Sequence, residues 1–243
     1  MTPVAAGHDG VRIAYDVTPG QRPILLVHGF ASTAAATWGG TGWLRAIADA
    51  GRGALAPDLR GHGQSAAPRD ARAYAPTELA ADLLAVLDDY DLDSVDVIGY
   101  SMGVRVVSAL TQLAPARVRR VVLGGAGPVE YFSTWDDESV RRFVADGDLP
   151  NDPTIAAVLA SALDAGEDRE ALGACVLGMR GAAIDVAPGI PALYVRGTAD
   201  HIPDGVDQLA AATGASYREL PARTHINALT SREFKRAALT FLE

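Results

Sequence analysis

Ser101 stands at the centre of a G-x-S-x-G pattern whose glycines are Gly99 and Gly103. An apolar run over residues 95–98 precedes the pattern, and an amphipathic segment follows it. A strand, a sharp turn and a helix in this order would raise the serine hydroxyl above the carboxyl edge of a sheet and aim a helix N-terminus at it. The alternative, a structural turn with an incidental serine, does not need this context. The pattern therefore predicts that Ser101 is a catalytic nucleophile.

A serine hydroxyl needs a base to take its proton, and the chain offers five histidines. His8 lies in the N-terminal segment, while His28 and His62 lie in glycine-containing turns where a structural role is expected. His201 directly follows an acidic residue at the start of a loop. His225 comes after the last expected strand, in a loop that can reach the carboxyl edge of the sheet. We therefore predict that His225 is the general base.

The base needs a carboxylate that orients its imidazole and stabilises the protonated form. Asp200 lies just past an expected strand, which places it at the same edge of the sheet. Asp185 and Asp204 are close enough in sequence to compete for this role. Other acidic residues, such as Asp82 and Asp88, fit solvated helix faces. The sequence therefore predicts Asp200 as the orienting acid.

The oxyanion of an acyl-transfer reaction needs two hydrogen-bond donors. One is expected to be the backbone N–H of Met102, which follows the nucleophile. The other is expected from the loop after the apolar run 23–27, where we predict the backbone N–H of Phe30. The Phe30 side chain can also line that loop, and the two roles are compatible.

The elements that must position these residues alternate along the chain. Residues 11–17 alternate apolar and polar side chains, as a half-buried antiparallel strand does. Continuous apolar runs, typical of buried parallel strands, recur with amphipathic helices between them. The expected parallel strands are residues 23–27, 54–57, 95–99, 118–123, 192–197 and 216–220. This alternation predicts an α/β fold, a mostly parallel twisted sheet with helices on both faces. Thr230 and Glu233 are expected to form a capping box at the start of the last helix.

The alternation breaks between about residues 127 and 186, where the chain is helical and polar. This stretch is too short and polar for an independent domain, so we expect one domain over residues 1–243 with a small helical cap inserted. Tyr131, Phe132 and Trp135 cluster at its start. They are predicted to line an apolar substrate pocket, with packing of the cap onto the core as an equal alternative.

The composition narrows the class of protein. The 243 residues include 30 acidic and 21 basic side chains, a net charge of −9, and this balance argues against a nucleic acid partner. The N-terminus lacks the pattern of a signal peptide, and no apolar run is long enough to span a membrane. We therefore expect a cytoplasmic protein with a small-molecule substrate and no membrane partner. The oligomeric state stays open.

Metal and cofactor chemistry is not indicated by the sequence. Cys175 is the single cysteine, so an intramolecular disulfide is impossible, and its apolar neighbours favour buried packing. The histidines are scattered rather than grouped with metal-ligand spacing. We therefore predict neither a metal nor a cofactor.

Five motifs, in order along nearly the whole chain, resemble those of the α/β-hydrolase superfamily. Residues 28–30 resemble its oxyanion loop, residues 58–65 its D-x-R-G-x-G-x-S loop, and residues 99–103 its nucleophile elbow. Residues 197–200 are similar to the segment that carries the acid, and His225 falls where the family places its base. The order nucleophile, acid, base is that of the family.

The resemblance implies a hydrolase that forms an acyl-enzyme on Ser101, most simply with a small and fairly apolar carboxylic ester. Haloalkane dehalogenases and epoxide hydrolases of this superfamily use an aspartate nucleophile, so the serine disfavours both. Cleavage of a C–C bond, a lactone or an amide, or acyl transfer, would use the same three residues. A receptor or binding protein on this fold is a further alternative. The chain departs from the family pattern at Val104 and Thr224, where small residues or glycine are common.

Overall fold

The apolar runs form the central strands of one eight-stranded sheet in the computed structural model, which describes residues 2–243. The strands are β1 (Val4–Ala6), β2 (Arg12–Thr18), β3 (Gln21–Val27), β4 (Arg52–Pro57), β5 (Val95–Tyr100), β6 (Val118–Gly124), β7 (Ala192–Gly197) and β8 (Ser216–Leu220). Their spatial order is β1-β2-β4-β3-β5-β6-β7-β8. The β1–β2 and β2–β4 pairs are antiparallel, and every other pair is parallel. The carboxyl ends of the parallel strands therefore meet at one edge.

Helices cover both faces of this sheet. They are α1 (Trp43–Asp49), α2 (Pro76–Asp89), α3 (Met102–Leu113), α4 (Asp137–Asp146), α5 (Pro153–Asp164), α6 (Arg169–Met179), α7 (Val206–Thr213) and α8 (Arg232–Phe241). Leu25 of β3 and Leu83 of α2 share one apolar core, whereas Ile24 of β3 and Phe234 of α8 share the other. Successive strand residues thus face opposite helical layers, which confirms the predicted fold class. None of the helices within residues 2–243 has the length and apolar character needed to cross a bilayer.

Two local expectations from the sequence are wrong. Asp82 does not lie on a solvated face; it is buried and pairs with the buried guanidinium of Arg60 at 2.6 Å. The loop after β4 carries Arg60 under α2, and that cation compensates the cost of burying the carboxylate. The capping box is also absent from helix α8. Ser231 is its N-cap, and the Ser231 hydroxyl accepts from the N–H of Phe234 at 3.3 Å.

The chain between β6 and β7, residues 125–191, contains α4, α5 and α6 and is called the insert below. Helix α6 docks it onto the α/β layers. Cys175 and Met179 of this helix are fully buried, and the Cys175 sulfur lies 3.7 Å from that of Met102. A Cβ at Gly178 would come within 2.2 Å of the Ala71 carbonyl, so only glycine permits this approach.

Candidate active site

Ser101 lies in a strained turn between β5 and α3. Its φ of 55° and ψ of −124° are unusual for a residue with a side chain, a strain found at functional sites. The turn is tight because a Cβ at Gly103 would come within 2.4 Å of the Val27 carbonyl, and one at Gly99 within 2.9 Å of Val107 Cγ2. The N–H of Ser101 donates to the Gly124 carbonyl at 2.8 Å, which ties the turn to the end of β6.

The structure brings Ser101, His225 and Asp200 into one chain of hydrogen bonds. Ser101 Oγ lies 3.0 Å from His225 Nε2, and His225 Nδ1 lies 2.9 Å from Asp200 Oδ2. The second carboxylate oxygen of Asp200 accepts from the N–H of Ile202 at 3.1 Å, so both oxygens are oriented. His225 and Asp200 are buried. This is the geometry in which a histidine takes a serine proton while a carboxylate holds its tautomer.

The competing acids lie elsewhere. Asp204 pairs with Arg196 at 2.9 Å, with most of its side chain exposed. Asp185 is exposed, and only its backbone carbonyl is used, accepting from Gln112 at 3.1 Å. Neither carboxylate is hydrogen-bonded to His225. Asp200 therefore stays the acid of choice.

The loop that carries the acid packs closely against the loop that carries the base. A Cβ at Gly197 would come within 2.1 Å of the Arg223 carbonyl, so only glycine at this position allows the two loops to lie so close. The N–H of Ala199 donates to that same carbonyl at 3.0 Å. On the other side, the Tyr100 hydroxyl donates to the His225 carbonyl at 2.5 Å. The base is thereby held from the acid loop and from the residue before the nucleophile.

Two backbone N–H groups have no protein acceptor among the described residues, one in the residue after the nucleophile and one in the loop that approaches it. Among residues 2–243, neither the N–H of Phe30 nor that of Met102 donates to another group. The loop carrying Phe30 reaches the nucleophile because residue 29 is glycine. A Cβ at Gly29 would lie 3.0 Å from Ser101 Cβ and 3.3 Å from the Tyr100 carbonyl. These free donors are those that the sequence predicts for the oxyanion.

Two buried histidines hold the loop on either side of Phe30. His28 Nδ1 lies 2.7 Å from the Gly29 carbonyl, which can only accept, so this nitrogen carries the proton. His62 Nε2 in turn accepts from the N–H of Ala31 at 3.1 Å. Burial lowers the pKa of His28 to about 4 and that of His62 to about 3, so both rings stay neutral. The sequence had suggested only that they shape turns; the structure gives them one shared task.

A cavity of about 490 Å³ opens above Ser101. Phe30, Tyr131 and Phe132 line it, and the Phe30 and Phe132 rings meet edge to face with centroids 4.9 Å apart. Trp135, which the sequence grouped with them, lies outside this cavity. The short helical turn before it directs Trp135 into the insert, where its ring contacts Phe143 with centroids 5.9 Å apart. The expectation that Trp135 lines the substrate pocket therefore lacks structural support.

Sequence reasoning missed Arg105, a buried cation that also lines the cavity. Its Nη2 donates to the carbonyls of Gly127 at 2.8 Å and Val129 at 2.7 Å, and its Nη1 donates to Ala182. Burial lowers the pKa of Arg105. The guanidinium thus binds the insert both before α4 and after α6. An available signal was a lone charge among the valines of an apolar helix, four residues after the nucleophile.

Glu130, the other charged residue at the cavity, is also occupied by the backbone. Its carboxylate accepts from the N–H groups of Phe132 at 2.5 Å, Ser133 at 2.8 Å and Gly181 at 3.1 Å. The charged groups of Arg105 and Glu130 are therefore both hydrogen-bonded to backbone groups of the insert. The cavity wall is otherwise mostly apolar, with hydroxyl and amide groups to one side.

The remaining candidates for chemistry have structural surroundings. Cys175 is fully buried, and burial raises the pKa of its thiol. His201 lies at the surface, where its Nε2 is 2.8 Å from Asp152. Within residues 2–243, no three His, Cys, Asp or Glu side chains are grouped as a metal ion would need.

Comparison with known proteins gives one family and several relatives. A model of the alpha/beta hydrolase fold matches residues 22–172, more than half of the chain. An epoxide hydrolase of Caballeronia sordidicola is 37% identical over 98 residues, which are 40% of this chain and 29% of that protein. Esterase YbfF of Escherichia coli strain K12 is 36% identical over 104 residues, 42% of this chain and 40% of that protein. The matched stretches span about a third of the first curated relatives.

Solved structures match over the full length. A hydrolase from Pseudomonas aeruginosa superposes with a TM-score of 0.81 at 24% identity and covers 99% of this chain and 98% of its own. At this identity the likeness is one of fold. It extends through the insert and through the C-terminal loops that carry Asp200 and His225.

Proposed function

The chain belongs to the α/β-hydrolase fold family, and we propose that it is a serine hydrolase that cleaves small, fairly apolar carboxylic esters. The observation that carries the proposal is the hydrogen-bonded chain from Ser101 Oγ through His225 to Asp200. It lies at the floor of a mostly apolar cavity, beside two N–H groups without protein acceptors. A nucleophile, its base and an oxyanion site together are what acyl transfer requires.

In the first half of the reaction, Ser101 Oγ attacks the ester carbonyl carbon while its proton moves to His225 Nε2. The carbonyl oxygen becomes an oxyanion, which the N–H groups of Phe30 and Met102 stabilise. Asp200 holds the protonated imidazole. The intermediate then breaks its bond to the alcohol oxygen, which takes the proton from His225 and leaves. The acyl group stays on Ser101.

In the second half, water takes the place of the alcohol. His225 removes a proton from it as the oxygen attacks the acyl carbon, and the same two N–H groups receive the oxyanion. Collapse returns the proton to Ser101 Oγ and releases the carboxylic acid. No other group need supply an electron or a proton.

The cavity supports an uncharged substrate. Arg105 and Glu130 lie at its wall, but backbone carbonyls and N–H groups occupy their charged ends. Its volume of about 490 Å³ lies within the usual range for small-molecule sites. We propose that the insert acts as a cap whose Tyr131 and Phe132 contact the substrate.

Epoxide opening is the less suitable reaction, although relatives bear that name. Epoxide hydrolases of the α/β-hydrolase superfamily use an aspartate as the nucleophile, whereas this chain has Ser101 at the elbow. A lactone, by contrast, would follow the same path as an ester, with its alcohol still tethered to the acyl group. The choice between ester and lactone is a matter for the substrate panel.

The test is a panel of p-nitrophenyl acetate, butyrate and octanoate, with γ-butyrolactone and an alkyl epoxide as further arms. Each is assayed with the natural chain and with Ser101→Ala. We expect turnover of the short esters and a loss of at least about 10⁴-fold in Ser101→Ala, because the acyl-enzyme cannot form. Melting temperatures of the two proteins check the fold.

Ester turnover that survives Ser101→Ala at its normal rate would contradict the assignment of the nucleophile. Turnover of the epoxide alone would contradict the reaction. Binding of esters without any turnover would favour a receptor on this fold.

A further inference from the structure

Two apolar side chains lie in water at the mouth of the cavity. Val129 of the insert is 64% exposed, and Ile226, the residue after His225, is 53% exposed, although both line the cavity. Single exposed apolar residues are ordinary on protein surfaces. Here both line one active-site cavity, and Val129 and Ile226 together are called the lip below.

Hydrogen bonds hold the backbone of the lip in place. The Val129 carbonyl accepts from the buried guanidinium of Arg105 at 2.7 Å. The carbonyl of His225, next to Ile226, accepts from the Tyr100 hydroxyl at 2.5 Å. The backbone at the lip is therefore anchored to the two elements on either side of the nucleophile. Val129 is bound by α3, and the residue before Ile226 is bound by β5. These hydrogen bonds fix the positions in which Val129 and Ile226 are exposed.

Further apolar side chains from the loops at this edge of the sheet line the same cavity. Ile202, two residues after Asp200, and Leu229 are half-buried and line the same cavity. The three loops that follow β6, β7 and β8 thus each contribute an apolar side chain. The lining of the cavity thus includes both half-buried and exposed apolar side chains.

We propose that the lip binds the outer part of a hydrocarbon arm of the ester, one long enough to reach the mouth of the cavity. This inference rests on the proposed function and names the substrate class within it. A short ester leaves the lip in water, whereas a longer arm covers it. Each methylene removed from water on the lip should raise kcat/KM by about three- to fourfold.

The experiment varies one arm of the ester at a time. Methyl alkanoates from acetate to decanoate lengthen the acyl arm, and n-alkyl acetates from methyl to octyl lengthen the alcohol arm, with acid release followed by titration. The proteins are the natural chain, Val129→Ser, Ile226→Ser and the double variant. Leu149→Ser is the matched control, since Leu149 is a loop residue of the insert, 42% exposed, and does not line this cavity.

We expect kcat/KM of the natural chain to rise with length in one of the two series, which identifies the arm that reaches the lip. The lip variants should lose more activity as the arm lengthens, by about tenfold for the double variant on the longest esters. Leu149→Ser should keep the natural slope. A natural chain with no dependence on length, or a double variant with the natural slope, would overturn the proposal.

A second measurement separates this inference from the proposed function. Binding of the same methyl alkanoates and alkyl acetates to Ser101→Ala, measured by calorimetry, needs no turnover. If no ester is hydrolysed but the Kd tightens with length and the lip variants remove that trend, the lip stands and the esterase proposal fails. If the Kd does not depend on the lip residues, the lip proposal fails whatever the activity.

Discussion

The floor of the site and the insert above it are built in different ways. The floor comprises Ser101, Asp200, His225 and the loop of residues 28–31, and it is fixed by close backbone approaches and by the hydrogen bonds of the buried His28 and His62. The insert is held chiefly by side chains, among them the guanidinium of Arg105, which donates to three of its carbonyls. It also carries Val129, the most exposed large apolar residue among residues 2–243.

The two ways of building suit two different requirements, precise placement of the reacting atoms and accommodation of a substrate. Reacting atoms must stay within a few tenths of an ångström of their partners, and backbone packing provides that precision. A substrate pocket tolerates variation, because apolar contacts are non-directional. We therefore expect changes in the floor to lower kcat and changes in the insert to alter KM and chain-length preference.

The largest effect should come from Asp200→Asn. The amide keeps the shape of the site but holds His225 in the wrong tautomer, so kcat should fall on the order of 10⁴-fold. Asp204→Asn is the matched control, because that carboxylate pairs with Arg196 at the surface. Steady-state kinetics on p-nitrophenyl butyrate measure both. A greater loss in Asp204→Asn would move the acid elsewhere.

Gly29→Ala should have the next largest effect. The added Cβ would lie 3.0 Å from Ser101 Cβ, so the loop must shift and carry the N–H of Phe30 away from the oxyanion. Loss of one such donor lowers kcat by about 10²- to 10³-fold. Gly39→Ala is the control, since its Cβ would meet only Leu44 Cδ1 at 4.0 Å. Equal kcat values in the two variants would show that this approach does not matter.

Arg105→Met should test the insert. Loss of the guanidinium leaves carbonyls of the insert before α4 and after α6 without their donor, so the pocket wall moves relative to the floor. We expect KM to rise about tenfold, the worth of one charged hydrogen bond, with a smaller change in kcat. Arg105→Lys, which keeps the charge, should recover part of the KM. A loss confined to kcat would place Arg105 with the floor.

The smallest effect concerns stability in acid. Because the pKa values of His28 and His62 are lowered to about 4 and about 3, the unfolded chain takes up protons that the folded chain refuses below about pH 6.5. Their neutral forms stabilise the fold above that pH. The free energy of unfolding should fall by up to about 1.4 kcal/mol per pH unit for each histidine as the pH drops from 6.5 towards 4.

Urea unfolding at several pH values measures this slope. His62→Gln should make it shallower by the contribution of one histidine. His8→Gln changes an exposed histidine and serves as control. An unchanged slope in His62→Gln would mean that His62 does not contribute to the loss of stability in acid.

The sequence was informative where local pattern and function coincide. The fold class followed from apolar runs and their alternation with helices, and the elbow followed from two glycines that have no room for a Cβ. Ser101, Asp200 and His225 were placed because a parallel sheet brings its strand ends to one edge. Their hydrogen-bonded geometry agrees with that placement, and their catalytic roles stay predictions.

The sequence was less informative where long-range contacts decide. The partner of Asp82 is Arg60, 22 residues away, and no local pattern pairs them. Trp135 and Phe132 are both aromatic residues at the start of the insert, and only the turn between them separates pocket from packing. In the sequence, Arg105 is a single charge within an apolar helix. Its role is visible only in the structure, where it donates to the carbonyls of Gly127 and Ala182.

That meeting point bears on how this fold can change over time. Because Gly127 and Ala182 both bind Arg105, the chain leaves and re-enters the floor at nearly the same place. The segment between them is also held by the docking of α6 and by Glu167, whose carboxylate accepts from the N–H of Gly63 at 3.0 Å, so a foreign segment grafted there would have to satisfy these contacts as well. The insert thus joins the floor through two stretches of chain that lie close together, and we expect a grafted segment to leave the chemistry beneath unchanged only where these contacts are kept.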